Sequence, residues 1–209
     1  MHVRPDAIHM TVTPHTTANE IERALTECGD KLRQSQKEIG ATTFDTGYRI
    51  ESDNISLSIV EHAAGSFIIK YNGKEITIAC PQGTDYSHSA TRELLHKGVT
   101  NALTRMAKRV LPPRLAMLAA KHGFTYRSCT VRNVHTRWGS CSGNRGISLS
   151  IYLMLLPDKL IDYVLLHELC HTVEMNHSDR FWALLDRCTA PAKAKALRAE
   201  LKEFRNGLL

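Results

Sequence analysis

The sequence predicts an α+β domain: a β-rich section toward the N-terminus, a helical middle, and a small sheet packed on a helix that carries the pattern HExxH. Three observations point to this class. "SFIIKYNGKEITIACP" sets Asn72-Gly73 between two arms of alternating apolar residues, the signature of a type I′ hairpin. Leu94, Leu95, Val99, Leu103, Met106 and Val110 then recur at helical spacing. Finally, "LLHELCHTVEMNHSDRFW" at 165–182 holds two histidines four residues apart and a third six residues further on.

A chain of 209 residues allows one domain, or one domain with a small appendage. It is long enough to bury a core without covalent staples. Its 43% hydrophobic and 23% charged residues are ordinary for a globular protein, which excludes a wholly disordered chain. The longest apolar run, "IYLMLL" at 151–156, falls far short of the ~20 residues that span a bilayer. The start, "MHVRPDAIHM", lacks the apolar stretch of a secretory signal, and no membrane association is expected. Cys28, Cys80, Cys129, Cys141, Cys170 and Cys188 are scattered and form no CxxC pair. Free thiols in a reducing, cytoplasmic setting are the expectation.

The net charge of +6 is unevenly spread. Between Leu94 and Pro157 there is no Asp or Glu, while Lys97, Arg105, Lys108, Arg109, Arg114, Lys121, Arg127, Arg132, Arg137 and Arg145 all fall there. This segment, 94–157, favours an anionic partner, either a phosphorylated small molecule or DNA, unless carboxylates from elsewhere balance it in space.

In chain order, residues 1–16 are polar and His-dotted and are expected to be a disordered tail. Thr17 and Glu20 fit a capping box for an amphipathic helix within 17–43, with Ile21, Leu25, Cys28 and Leu32 on one face. A folded domain over 44–209 follows. Ile55, Leu57 and Ile59 alternate as in a half-buried strand ahead of the hairpin. The helix of residues 87–110 is expected to end at "LPP", with Pro113 opening a short second helix that Gly123 stops. "TYRSCTVRNV" and "GISLSIYL" read as strands flanking "HTRWGSCSGNRG", whose Gly139, Gly143 and Gly146 imply turns. Pro157 starts the helix of the histidines, Ser178 caps the next, and Pro191 opens a last helix with Leu197, Leu201 and Phe204 as its apolar stripe.

Residues four apart on a helix share a face, so His167 and His171 can reach one ion. Glu168 lies ~100° around the helix, able to reach a water at that ion without being a ligand, as a general base must. A catalytic zinc usually takes three protein ligands and leaves one position open. His177 is the nearest third ligand; Asp186 or Glu200 from a following helix is the alternative. Asn176 is expected to supply a left-handed turn that brings His177 back to the ion. A structural zinc would fill all four positions with Cys and His, so the Glu inside the pattern favours one catalytic zinc ion. Arg137, His135, Tyr152 and Tyr163 are candidate donors to a developing oxyanion. Arg132, Arg137 and Arg145 are candidate anion clamps.

The stretches "RWGSCS" (137–142), "GISLS" (146–150), "PDKLIDYVLLHELCH" (157–171) and "NHSDRFW" (176–182) together resemble the YgjP-like metal-dependent hydrolases, zincin-type metallopeptidases related to the SprT and WLM groups. The resemblance covers about residues 48–188. It implies zinc ligands at His167, His171 and His177 and a general base at Glu168. Glu174 stands where metzincins have glycine, and no methionine follows His177 to make their Met-turn, so the chain is not expected to be a metzincin. The expected function is a zinc-dependent, metallopeptidase-like hydrolase acting on a protein or peptide. Relatives imply two neighbouring readings: pyrophosphohydrolysis of a nucleoside triphosphate such as UTP, and action on proteins bound to DNA. A third reading is non-catalytic, a metal-stabilised nucleic-acid-binding module.

Overall fold

The structure, a computed structural model, describes residues 2–3, 8–9, 12, 16–23, 26, 29 and 44–208. Its contacts divide the chain into two units, Met1–Thr43 with Gly207–Leu209, and Phe44–Asn206. In the first unit, β1 (His2–Val3) pairs antiparallel with β2 (Ile8–His9). The capping box forms as Thr17 and Glu20 suggest: Glu20 Oε2 accepts the Thr17 N–H at 2.8 Å, and Thr17 Oγ1 accepts the Glu20 N–H at 3.4 Å. Residues 18–23 are helical. Leu25, Cys28 and Leu32, the rest of the expected apolar face, lie outside the described residues.

The second unit is α+β, with two small sheets. In the first, β3 (Arg49–Glu51), β4 (Ser56–His62), β5 (Ile68–Asn72) and β6 (Glu75–Pro81) lie in the order β3-β4-β6-β5, β4 running parallel to β6. Ile55, Leu57 and Ile59 are fully buried, as their alternation requires. The β5–β6 turn departs from the expected type. Asn72 pairs with Glu75, so Gly73 and Lys74 are the central residues, and only Gly73 has positive φ (65°). A positive φ at the first central position alone is the II′ pattern, which Gly satisfies without a side-chain clash.

Helix α1 runs unbroken over Ser89–His122, through Pro112 and Pro113. Two prolines cost two i→i−4 hydrogen bonds. Burial outweighs that loss, because Leu111 and Leu115 on either side are both fully buried. Gly123, at φ 73°, caps the helix and its N–H bonds the Ala119 carbonyl, as expected. The basic segment is also tied into the fold along this helix. Lys97 pairs with Glu93, the Arg105 guanidinium lies 4.1 Å over the Tyr71 ring, Arg109 donates to the Gly73 carbonyl, and Arg114 bonds both Asp158 and Asp162. Carboxylates from outside 94–157 thus balance part of its charge.

The second sheet, in the order β7-β9-β8, comprises β7 (Ser128–Arg132), β8 (Gly139–Cys141) and β9 (Gly146–Ser150), with β8 antiparallel to β9 on its edge. Gly139 therefore lies in a strand, not the expected turn. The turn is at 142–146, held by Ser142, whose Oγ accepts the Gly146 N–H, with Arg145 at φ 60°. The apolar run at 151–156 forms a 3-10 turn, and Ile151, Leu153, Met154 and Leu156 are fully buried. Helices α2 (Asp158–Cys170), α3 (Asp179–Thr189) and α4 (Ala194–Leu208) follow. The last helix begins three residues after Pro191, where Asp186 Oδ1 accepts the Ala194 N–H at 2.8 Å. Among the described residues, Cys80, Cys129, Cys141, Cys170 and Cys188 are free thiols, and no helix is long and apolar enough to cross a membrane.

Leu115→Ala should cost about 2–5 kcal/mol by opening a cavity behind the proline pair. A denaturation curve would show it as a lower midpoint with unchanged slope. A negligible shift would mean that α1 does not depend on this packing.

Candidate metal centre

Helix α2 is fixed at its N-terminus by a distant loop. Pro157 makes no side-chain cap, so Asp53 Oδ2 accepts the Asp158 N–H at 2.8 Å, and Asn54 Nδ2 donates to Asp158 Oδ1 at 2.7 Å. A carboxylate there also suits the positive end of the helix dipole. Ser52 Oγ donates to the Met154 carbonyl at 2.6 Å, tying the same loop to the 3-10 turn.

At its C-terminus, α2 delivers His167 and His171 one turn apart. The chain then tightens through right-handed turns, with Thr172 N–H to the Leu169 carbonyl and Val173 and Glu174 N–H to the Cys170 carbonyl. Asn176 is not left-handed; Arg145 is the one non-glycine residue with positive φ among those described. Instead the Ser178 N–H bonds back to the Asn176 carbonyl at 2.8 Å, and Ser178 Oγ caps α3 by accepting the Phe181 N–H. Two short turns and a cap thus do what one left-handed residue was expected to do.

His167, His171 and His177 converge, with one ring nitrogen from each lying within 4.8 Å of the others. The Nε2 atoms of His171 and His177 are 3.2 and 3.1 Å from His167 Nε2. Three nitrogens ~2.0–2.1 Å from a tetrahedral zinc would stand ~3.3 Å apart, so the donor set fits one such ion. The Glu174 carbonyl, which can only accept, lies 3.1 Å from His171 Nδ1; the proton therefore sits on Nδ1, and Nε2 keeps its lone pair. Burial, with the neighbouring imidazoles and Arg198, pushes the His167 pKa down to about 3, which keeps it neutral and able to ligate. Phe181, fully buried, forms a common floor, with its ring centroid 4.9, 4.5 and 4.7 Å from those of His167, His171 and His177.

Glu168 is 5% exposed and is the one buried carboxylate among the described residues. Burial raises its pKa to about 7 against the opposing charge of Arg137. Its Oε2 is buried with no hydrogen-bond partner in the protein. Gly139 explains how it fits: a Cβ at that position would lie 2.7 Å from Glu168 Oε1 and 2.8 Å from its Cγ. Local sequence signals make Gly139 a turn residue and give Phe181 no special place; "RWGSCS" and "NHSDRFW" contain both, but neither spacing shows what they touch.

The other expected residues are dispersed. Asp186 caps α4 and Glu200 pairs with Lys159 at 2.7 Å, so each already has a structural partner. Tyr152 hydrogen-bonds His135 Nε2 at 2.6 Å, and burial moves its pKa up to about 12. Tyr163 is buried 6.0 Å, ring to ring, from His167. Arg132 ends β7 and Arg145 lies in the 142–146 turn, both exposed; of the three arginines, Arg137 is the one whose charge reaches Glu168. Cys170 is buried, with its thiol against that of Cys188.

A helix carrying two histidines and a buried carboxylate, with a third histidine from the following loop, is the framework of a metallopeptidase-type domain. The family description "YgjP-like, metallopeptidase domain" matches residues 1–204, and the chain belongs to that family. The match reaches well beyond the 48–188 span that carries the motifs. The family implies hydrolase activity and a divalent metal, for which the three histidines are a candidate site. Among solved structures, the chain is similar to the metallopeptidase zymogen of Pyrococcus abyssi abylysin (21% identity, TM-score 0.40, covering 44% of this chain and 91% of that one). It is also similar to the metallopeptidase zymogen of Methanocaldococcus jannaschii jannalysin (15% identity, TM-score 0.40, covering 44% and 94%). No curated protein matches the chain.

Gly139→Ala should force the Glu168 side chain from its place at a stability cost of about 1–3 kcal/mol. Metal content, measured by elemental analysis, should stay at the wild-type level, because the added methyl meets the carboxylate and not the imidazoles. A crystal structure of the variant with Glu168 unmoved would refute this account of the glycine.

Proposed function

We propose that the protein is a zinc-dependent peptidase in which Glu168 is the general base. The observation that carries this reading is the placement of a sheet edge beside the carboxylate. Among the described residues, β8 pairs only with β9, so it is the edge strand of its sheet, and its Gly139 abuts Glu168. An extended peptide can add to such an edge through main-chain hydrogen bonds, which would lay a scissile amide next to the carboxylate. Val173 and Met175, both exposed, add apolar surface on the loop between His171 and His177.

His167, His171 and His177 would hold the ion, with His171 oriented by the Glu174 carbonyl. When bound, a divalent ion there would lower the pKa of water and polarise the substrate carbonyl. Glu168 takes the proton from the attacking water and passes it to the leaving amine. Its burial suits both proton transfers, since a carboxyl with a pKa raised toward neutrality accepts and returns a proton with little bias. Arg137, whose charge reaches Glu168, is the best placed of the expected anion-binding residues to meet negative charge on the substrate.

The test is hydrolysis of a fluorogenic peptide library by zinc-loaded protein, with nucleoside triphosphates and pyrophosphate detection as the parallel arm. Glu168→Gln should remain folded and metal-loaded while turnover falls by about 10²–10⁴-fold. His167→Ala should lose both the metal and the activity. Nucleotide turnover that depends on Glu168, with no peptide cleaved, would overturn the peptidase reading. A Glu168→Gln variant as active as wild type would remove Glu168 as the base.

A further inference from the structure

A second feature adjoins the histidines and has no part in holding them. Between α3 and α4 lies a cleft of about 320 Å³ lined by Trp182, Lys195, Arg198, Ala199 and Lys202. This is near the low end of ligand-sized clefts, roughly 300–1,000 Å³. Lys195, Arg198 and Lys202 stand three and four residues apart on α4 and so share one helical face. No carboxylate lines the cleft, and among the described residues none of the three cations has an ion-pair partner. By contrast, Glu200 on the same helix is taken by Lys159, and Glu174 by Arg180.

Trp182 is shared between the cleft and the metal centre. The indole stacks on His177, with ring centroids 5.9 Å apart and planes 29° from parallel. Arg198 lies over the same indole, 5.5 Å from its centroid. Its positive charge also reaches His167 and Tyr163. A cationic, carboxylate-free cleft one indole away from the histidine cluster is placed to bind part of the molecule being cleaved.

We infer that Lys195, Arg198 and Lys202 form a specificity subsite for acidic side chains of a peptide substrate, flanking the bond presented to the histidine centre. This rests on the peptidase reading. Charge complementarity selects an anionic occupant, and Trp182 selects among anions. Its ring is already in contact with His177 and the Arg198 guanidinium, which leaves less of its face for a nucleic-acid base to stack on. Carboxylates need no such face and can be met by the three cations from α4.

The test measures binding apart from turnover. Fluorescence anisotropy would follow fluorescein-labelled hexaglutamate, hexaglutamine and an oligothymidine on zinc-loaded Glu168→Gln protein. Hexaglutamate should bind, hexaglutamine should not, and added salt should weaken the complex. Adding Lys195→Gln, Arg198→Gln and Lys202→Gln together should weaken hexaglutamate binding by about tenfold or more. The lysine changes alone, which leave the Trp182–Arg198 contact in place, should produce part of that loss even if the triple variant does not fold. Hexaglutamate binding no tighter than hexaglutamine, or unchanged by the lysine changes, would overturn the subsite. So would an oligothymidine that binds tighter than hexaglutamate through the same residues. If hexaglutamate binds as described but wild type cleaves no peptide, the subsite stands as an anion site and the peptidase reading fails.

Discussion

The Glu168 carboxylate sits almost entirely out of water, with one oxygen unpartnered, and the elements around it are arranged to hold it there. An isolated buried carboxylate is expensive and tends to keep its proton or to find a cation. Among the described residues, none relieves that cost with a direct salt bridge. The surroundings fix the side chain by shape: β8 presents a glycine where any Cβ would collide with it, and α2 is buried on the faces on either side. Burial of a group held this way raises its pKa to about 7.

Holding α2 in place draws in most of the unit. The β3–β4 loop of the first sheet caps it through Asp53 and Asn54, α1 reaches it through Arg114, and α3 closes over its C-terminal end. Asp158 shows how these contacts combine. Burial alone would raise its pKa, but the Asn54 and Arg114 bonds outweigh it and hold it below the ordinary value. The first sheet contributes no residue to the histidine centre, yet it orients the helix that does.

The histidine cluster is assembled on the same economy. Phe181 serves as one floor for three imidazoles, so a single fully buried ring sets the positions of groups from α2 and from the loop after it. The residue after it, Trp182, turns outward to His177 and Arg198, so that one turn of α3 joins the centre to the cationic face of α4. The chemistry of the centre and the charge of its surroundings are thereby set by adjacent residues.

The α+β class, the histidine helix, the Ser178 cap and the convergence of His167 and His171 are legible from the chain, because each follows from local periodicity or capping. So is the burial of Ile55, Leu57 and Ile59, since a strand's period of two admits only one inward face. Contacts between segments far apart in sequence are not legible. Pro112 and Pro113 read as a helix end, since local rules count the lost hydrogen bonds and not the burial of Leu111 and Leu115. Gly139 reads as a turn, since nothing in "RWGSCS" shows that Glu168 will lie against it. The acid-free run 94–157 reads as a basic surface, yet Arg114 finds Asp158 and Asp162 just outside it. The pattern HELCH by itself determined that two imidazoles share one helical face. Only the tertiary structure decided that the carboxylate beside them is buried, that His177 joins them, and that an edge strand and a cationic cleft lie near, because burial and field depend on neighbours that the local sequence does not name.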